Sequence, residues 1–203
     1  MEKILYLGLD PSRFATTKLL VHCPLIQIVP KKILKPLSLP ITSYTDFVFT
    51  SREAVMRWNT LMPPPWIQRT LAIGQATALL LPANTLVAPH ATQEGMAQLL
   101  RSLHHAHHLT EHKMHCLWPR SQKARPVLTT LCRQWNISLH TLDLYDVQPQ
   151  QPNPLPSLED FTEIVFTSPS CVDAFLKIFG TFPRHIQLTA IGPMTQHKIQ
   201  TTT

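Results

Sequence analysis

Two Thr-Ser pairs are the residues best placed to handle a ligand. Thr50-Ser51 follows the apolar run Asp46-Phe47-Val48-Phe49, and Thr167-Ser168 follows the matching run Glu163-Ile164-Val165-Phe166. Each pair stands where a strand should hand over to a helix. Hydroxyls and free N–H groups at a helix start both donate to anions. The same serines also suit plain N-capping, in which the hydroxyl oxygen accepts an N–H of the first turn. Both roles can hold for one pair. The agreement continues beyond the pairs. Ala54-Val55 matches Cys171-Val172, and Ala72-Ile73-Gly74 with Thr77 matches Ala190-Ile191-Gly192 with Thr195, at a near-constant offset. Gly74 and Gly192 permit close backbone approach, which adds Thr77 and Thr195 as candidate ligands. A repeat of this kind predicts two similar α/β units. Two such anion sites facing each other would suit a large, multiply charged ligand.

The charge balance points the same way. The chain carries 18 Lys+Arg against 12 Asp+Glu, a net charge of +6, which implies a polyanionic partner. There is no block of like charge, no RNA-binding signature and no aromatic-basic alternation, so nucleic acid is set aside. The apolar fraction of 44% is enough for real cores. Cys23, Cys116, Cys132 and Cys171 have no paired spacing and read as reduced, buried thiols of a cytoplasmic protein. The N-terminal apolar run is stopped by Asp10, too soon for a signal segment. No run approaches the ~18 to 20 apolar residues of a membrane span.

The elements that must position these residues alternate between strand and helix. Strands are expected at Lys3–Gly8, Leu25–Val29, Asp46–Thr50, Thr70–Ile73, Thr85–Val87, His115–Trp118, Ile137–Leu142, Glu163–Phe166 and Gln187–Ala190. A short helix is expected over Pro11–Leu20, and others after Ser51, over Ala76–Leu81, Thr92–Leu103, Gln122–Trp135 and Ser168–Phe179, with a last one from Gly192. Pro63-Pro64-Pro65 should end the helix after Ser51. In the Thr92 helix, Met96, Leu99, Leu100 and Leu103 share one face, as do Val172, Phe175, Leu176 and Phe179 in the Ser168 helix. The alternation argues parallel sheets with helices on both faces. The opening unit is too small to fold alone. The expected organisation is a discontinuous α/β domain of residues 1–29 plus 152–203 and an inserted α/β domain of 37–143. Linkers at 30–36 and 144–151 would run side by side, leaving a cleft between the domains.

In this order and spacing the motifs resemble those of the uroporphyrinogen-III synthase family. The resemblance rests on Phe49-Thr50-Ser51 with Ala54-Val55, on Ala72-Ile73-Gly74 with Thr77, and on Pro89 followed by Thr92-Gln93-Glu94-Gly95. Leu142-Asp143-Leu144-Tyr145, Phe166-Thr167-Ser168-Pro169-Ser170 with Val172, and Ala190-Ile191-Gly192-Pro193 with Thr195 complete it. It implies two α/β domains joined by a two-stranded linker. It also implies a cofactor-free, monomeric enzyme that closes the linear tetrapyrrole hydroxymethylbilane with inversion of its last ring, ring D. The substrate carries eight carboxylates, and a transient hand-over from hydroxymethylbilane synthase is implied as its source. Two features depart from the family pattern. The chain stops at Thr203, where the family continues through a further strand and closing helix, so this is either a reduced member or a truncated end. The stretch Leu7-Gly8-Leu9-Asp10 also lacks the arginine that often ends the family's first strand, and Arg13 replaces it poorly.

The implied chemistry asks for one acid and much positioning. Loss of the terminal hydroxyl leaves an azafulvene, which is attacked at the substituted carbon of the last ring, and the spiro intermediate then rearranges. Tyr145 matches the family's tyrosine and is the candidate acid, since a phenol can donate a proton. Its alternative is a Tyr that packs a domain surface. Thr50, Ser51, Thr77, Thr167, Ser168 and Thr195 are the candidate substrate ligands. Arg120 is a candidate carboxylate clamp, with Arg125 beside it; both also read as solvated surface charge. The tract His104-His105-Ala106-His107-His108, with His112, His115 and Cys116, follows no structural zinc spacing, and no metal is expected. The alternative function is a non-catalytic relative that binds a polyanion or tetrapyrrole between its two domains.

Overall fold

The computed structural model describes residues 2–33, 37–62, 68–107 and 113–202. Pro63-Pro64-Pro65, His108 and His112 lie outside them. The chain divides into two compact units, Met1–Val29 with Val147–Thr203, and Pro30–Asp146.

The first unit holds a parallel four-stranded sheet in the order β10 (Gln187–Ala190), β9 (Glu163–Phe166), β1 (Lys3–Tyr6), β2 (Leu19–His22). Helices α5 (Pro169–Phe179) and α6 (Pro193–Thr202) follow β9 and β10. All four residues of β9 are buried, as expected of a central parallel strand covered on both faces. Phe166 and Phe175 meet edge-on at 5.3 Å, and Phe175 stacks on Phe179 at 4.6 Å. Leu5, Leu7, Leu25, Ile164 and Val172 fill the same core.

In the second unit the parallel order is β8 (Ser138–Pro149), β7 (His115–Ser121), β4 (Asp46–Phe49), β5 (Arg69–Ala72), β6 (Leu86–Val87). Helices α1 (Arg52–Leu61), α2 (Gln75–Ala78), α3 (Gln93–His107) and α4 (Val127–Gln134) complete it. Met96 and Leu100 of α3 and Leu128 and Cys132 of α4 pack with Val48, Leu71, Cys116 and Trp118. Asp46, at the foot of β4, is fully buried. Its carboxylate accepts from Arg69 Nε at 2.5 Å and from Thr45 Oγ1 at 2.6 Å, which supplies the pairing that a buried charge requires. The orders β5-β4-β7-β8 and β10-β9-β1-β2 correspond strand for strand. Among the described residues of the first unit, nothing corresponds to β6 and α3.

Strand β3 (Ile26–Pro30) lies beside β8. Gln150 N–H donates to Leu25 C=O at 2.8 Å, and Lys31 N–H donates to Leu144 C=O at 2.9 Å. As one number rises the other falls, so the two crossing strands run antiparallel.

Two local expectations are corrected. Pro11–Leu20 is not a helix. Pro11–Arg13 is a single 3₁₀ turn capped by the Asp10 side chain, and Leu19–His22 is a strand. The turn ends once Phe14 N–H reaches Pro11 C=O, and the residues that follow satisfy their backbone on the free edge of β1, as Leu19 N–H to Glu2 C=O shows. The helix expected from Gln122 starts at Val127, because Pro126 disfavours helical backbone at Arg125 before it. The stretch 144–151 is strand for most of its length, since β8 runs from Ser138 to Pro149 with β7 on one side and β3 on the other.

Candidate functional site

In the second unit the chain runs from β4 outward to β5 and β6, and on the other side from β7 to β8. The direction reverses between β4 and β7. Open parallel sheets bind ligands outside the strand C-termini at such a reversal, and Thr50 and Ser51 stand there. Ser51 is the N-cap of α1: its Oγ accepts from Ala54 N–H at 3.1 Å. The same oxygen lies 2.8 Å from Tyr145 Oη. Thr50 Oγ1 accepts from Trp118 Nε1 at 2.9 Å.

Tyr145 reaches this place through a break in strand register. Arg120 pairs with Asp143, but Ser121 pairs with Tyr145, so one step on β7 meets two on β8. The extra residue is Leu144, and such a bulge re-aims the side chains beyond it. Tyr145 is 4% exposed. Burial pushes its phenol above its ordinary value, the Ser51 hydrogen bond pulls it back, and Glu53 and Arg57 act in opposite directions. The Arg57 guanidinium lies 5.8 Å from the phenol ring centroid and pairs with Glu53 one turn back.

Arg120 joins the cluster from β7. Its guanidinium lies 4.9 Å from the centre of the Trp118 ring, and its Nε donates to Asp143 Oδ1 at 2.9 Å. Its charge is therefore already balanced. Arg125 is likewise committed, with two bonds to Glu94 at 3.2 and 3.3 Å. Arg52, the first residue of α1, differs: its Nε is buried with no hydrogen-bond partner among the described residues. The sequence reading passed over Arg52, Trp118 and Arg57. Position gave one clue, since Arg52 directly follows the Thr-Ser pair and Arg57 stands one helical turn from Glu53.

The first unit repeats the arrangement at the reversal between β9 and β1. Ser168 caps α5 by accepting from Cys171 N–H at 3.3 Å. Thr167 Oγ1 and Ser168 Oγ both lie against the Cys171 sulfur, at 3.4 and 3.3 Å. A Cβ on Gly8, just past β1, would strike the Thr167 side chain, with Oγ1 at 2.6 Å. His22 Nε2 lies 2.8 Å from the Gly8 carbonyl. Thr77 and Thr195 are buried, at 4% and 2% exposed. Thr195 Oγ1 donates back to Ile191 C=O at 3.4 Å. His104, His105 and His107 lie in the last turn of α3, and among the described residues no group of three His, Cys, Asp or Glu could hold a metal ion. No described helix is long and apolar enough to cross a membrane.

The sequence family described as uroporphyrinogen-III synthase HemD matches residues 19–202. The chain belongs to the uroporphyrinogen-III synthase family. Among solved structures, the uroporphyrinogen-III synthetase of Helicobacter pylori 26695 is similar at 21% identity and a TM-score of 0.65, over 100% of this chain and 89% of that one. A mutant uroporphyrinogen III synthase of the extremely thermophilic bacterium Thermus thermophilus is similar at 13% identity and a TM-score of 0.63, over 99% and 89%. These likenesses concern the fold. No curated protein matches the sequence. The family match begins at β2, so Leu7-Gly8-Leu9-Asp10 precedes it.

Proposed function

We propose that this chain is an active uroporphyrinogen-III synthase. It closes hydroxymethylbilane, with inversion of ring D and loss of water, to uroporphyrinogen III. It acts as a cofactor-independent, cytoplasmic monomer that receives substrate from hydroxymethylbilane synthase. The observation that carries the reading is the 2.8 Å contact between Tyr145 and the helix-capping Ser51 at the reversal of the sheet.

Ser51 spends one lone pair on Ala54 N–H. Its own O–H remains to donate to the phenol oxygen, which leaves the Tyr145 proton for the departing hydroxyl of the substrate. After transfer, the same Ser51 bond steadies the phenolate. The phenol holds its proton at neutral pH, and of the influences on it the Ser51 bond is one that favours release, against the burial that opposes it. Thr50 and Arg52 offer side-chain donors to one set of carboxylates while Ser51 is held by the phenol, and Thr167 and Ser168 offer donors to another. Arg120 holds Trp118 and Asp143 in place and adds little net charge. Thr77 and Thr195 contribute through the N-terminal turns of α2 and α6 and not through exposed hydroxyls. Holding the chain so that the inverted closure wins is the larger part of the catalysis.

The test is a coupled assay. Hydroxymethylbilane is generated enzymatically in the presence of this protein, the products are oxidised, and the porphyrin isomers are resolved by chromatography. A dominant type III isomer is expected, with Tyr145→Phe slowing its formation by about 10²-fold. Type I alone, the product of uncatalysed closure, would overturn the enzyme reading and leave a non-catalytic tetrapyrrole-binding relative.

A further inference from the structure

A second cavity lies within the Pro30–Asp146 unit, with none of Thr50, Ser51 and Tyr145 in its lining. Its volume is about 450 Å³, within the range of about 300–1,000 Å³ typical of small-molecule sites. Three apolar side chains, Ile33, Leu37 and Leu142, form much of its wall, backed by the fully buried Leu117. The polar wall is built in advance. Tyr44, 2% exposed, places its hydroxyl 3.3 Å from His140 Nδ1, with the two rings edge-on at 5.4 Å. His140 Nε2 lies 3.2 Å from Ser138 Oγ, which in turn lies 3.2 Å from His115 Nδ1. His140 is thus held at both ring nitrogens. Burial pushes the Tyr44 phenol upward, so it stays a donor at neutral pH.

The charges are one-sided. Asp143 lines the cavity, but its charge is taken by Arg120 at 2.9 Å. Lys31 and Lys32 also line it, and neither has an ion pair among the described residues. Lys31 Nζ donates to Gln122 Oε1 at 2.8 Å, which restrains its direction and leaves its charge uncompensated. Two cations over an apolar floor call for two anionic groups on a compact carbon body.

We propose that this cavity is a second ligand site that takes a small dicarboxylate with an apolar or aromatic body. It stands independently of the proposed activity. The cations and Tyr44 recognise the carboxylates, and the leucine wall takes the body.

The probe is phthalate, with its neutral dimethyl ester as the comparison, added to the full ¹⁵N-labelled chain and followed by amide shifts. Phthalate should move the amides of Leu117, His140 and Leu142, and the ester should not. Lys31→Glu with Lys32→Glu, both near the surface, should weaken phthalate by about tenfold or more. Tyr145→Phe should leave phthalate binding unchanged, which separates this site from the catalytic crevice whether or not the enzyme turns over. Shifts centred on Ser51 and Ala54, equal binding of the ester, or no shift up to the solubility of phthalate would each overturn the proposal.

Discussion

The Ser51–Tyr145 contact can be weighed by a double-mutant cycle. Ser51→Ala removes two things at once: the acceptor for Ala54 N–H and the partner of a phenol that is 4% exposed. A lost N-cap costs about 1 kcal/mol. An orphaned buried hydroxyl costs about 1–3 kcal/mol more. Tyr145→Phe removes the phenol oxygen but leaves the cap intact, and should cost about 1 kcal/mol. In the double variant no phenol is left to be orphaned, so the losses should fall short of additive by about 1–3 kcal/mol. The readout is convenient, because all four tryptophans, Trp58, Trp66, Trp118 and Trp135, fall within Pro30–Asp146. Tryptophan fluorescence in urea therefore follows that unit alone. With a slope of about 2 kcal/mol per molar urea, Ser51→Ala should lower the midpoint by about 1–2 M. Single losses that add to within about 0.3–0.5 kcal/mol would refute the reasoning, since they would mean that the hydroxyls do not share a bond worth keeping.

Two further outcomes follow from the same unit. Arg69→Ala leaves Asp46, fully buried, without its cation. It should destabilise the unit by about 3–5 kcal/mol, seen as a lower urea midpoint by tryptophan fluorescence; a change below about 1 kcal/mol would mean that the pair behaves as a surface bridge. The thiol of Cys132 is pushed up to about 12 by burial, and that of Cys116 rises for the same reason. Both stay protonated at pH 8, so neither should be alkylated by iodoacetamide at that pH in the folded chain. Mass spectrometry should find both modified only after denaturation, and rapid modification of the native protein would contradict the burial described.

Much of the site was legible locally. Phe47-Val48-Phe49 and Ile164-Val165-Phe166 are apolar on both faces, and only a strand covered on both sides can use such a run. Ser51 and Ser168 follow directly, and each caps the next helix with its own oxygen. The stripe Met96, Leu99, Leu100 and Leu103 needs only helical geometry to be read. These features depend on neighbours a few residues apart, so the order of residues is enough to establish them. The strand Leu19–His22 was not legible, because a four-residue run carries little periodicity and its hydrogen bonds are made to β1. The aim of Tyr145 was not legible either. It depends on the bulge opposite Arg120 and Ser121 and on a hydroxyl 94 residues away in sequence. Nor could sequence tell which arginines are spent: Arg120 and Arg125 are balanced by Asp143 and Glu94, while Arg52 Nε has no partner among the described residues. Whether a charge is available to a ligand depends on which acid the fold brings to it, and that is set by strand register and helix packing, which only the assembled tertiary structure provides.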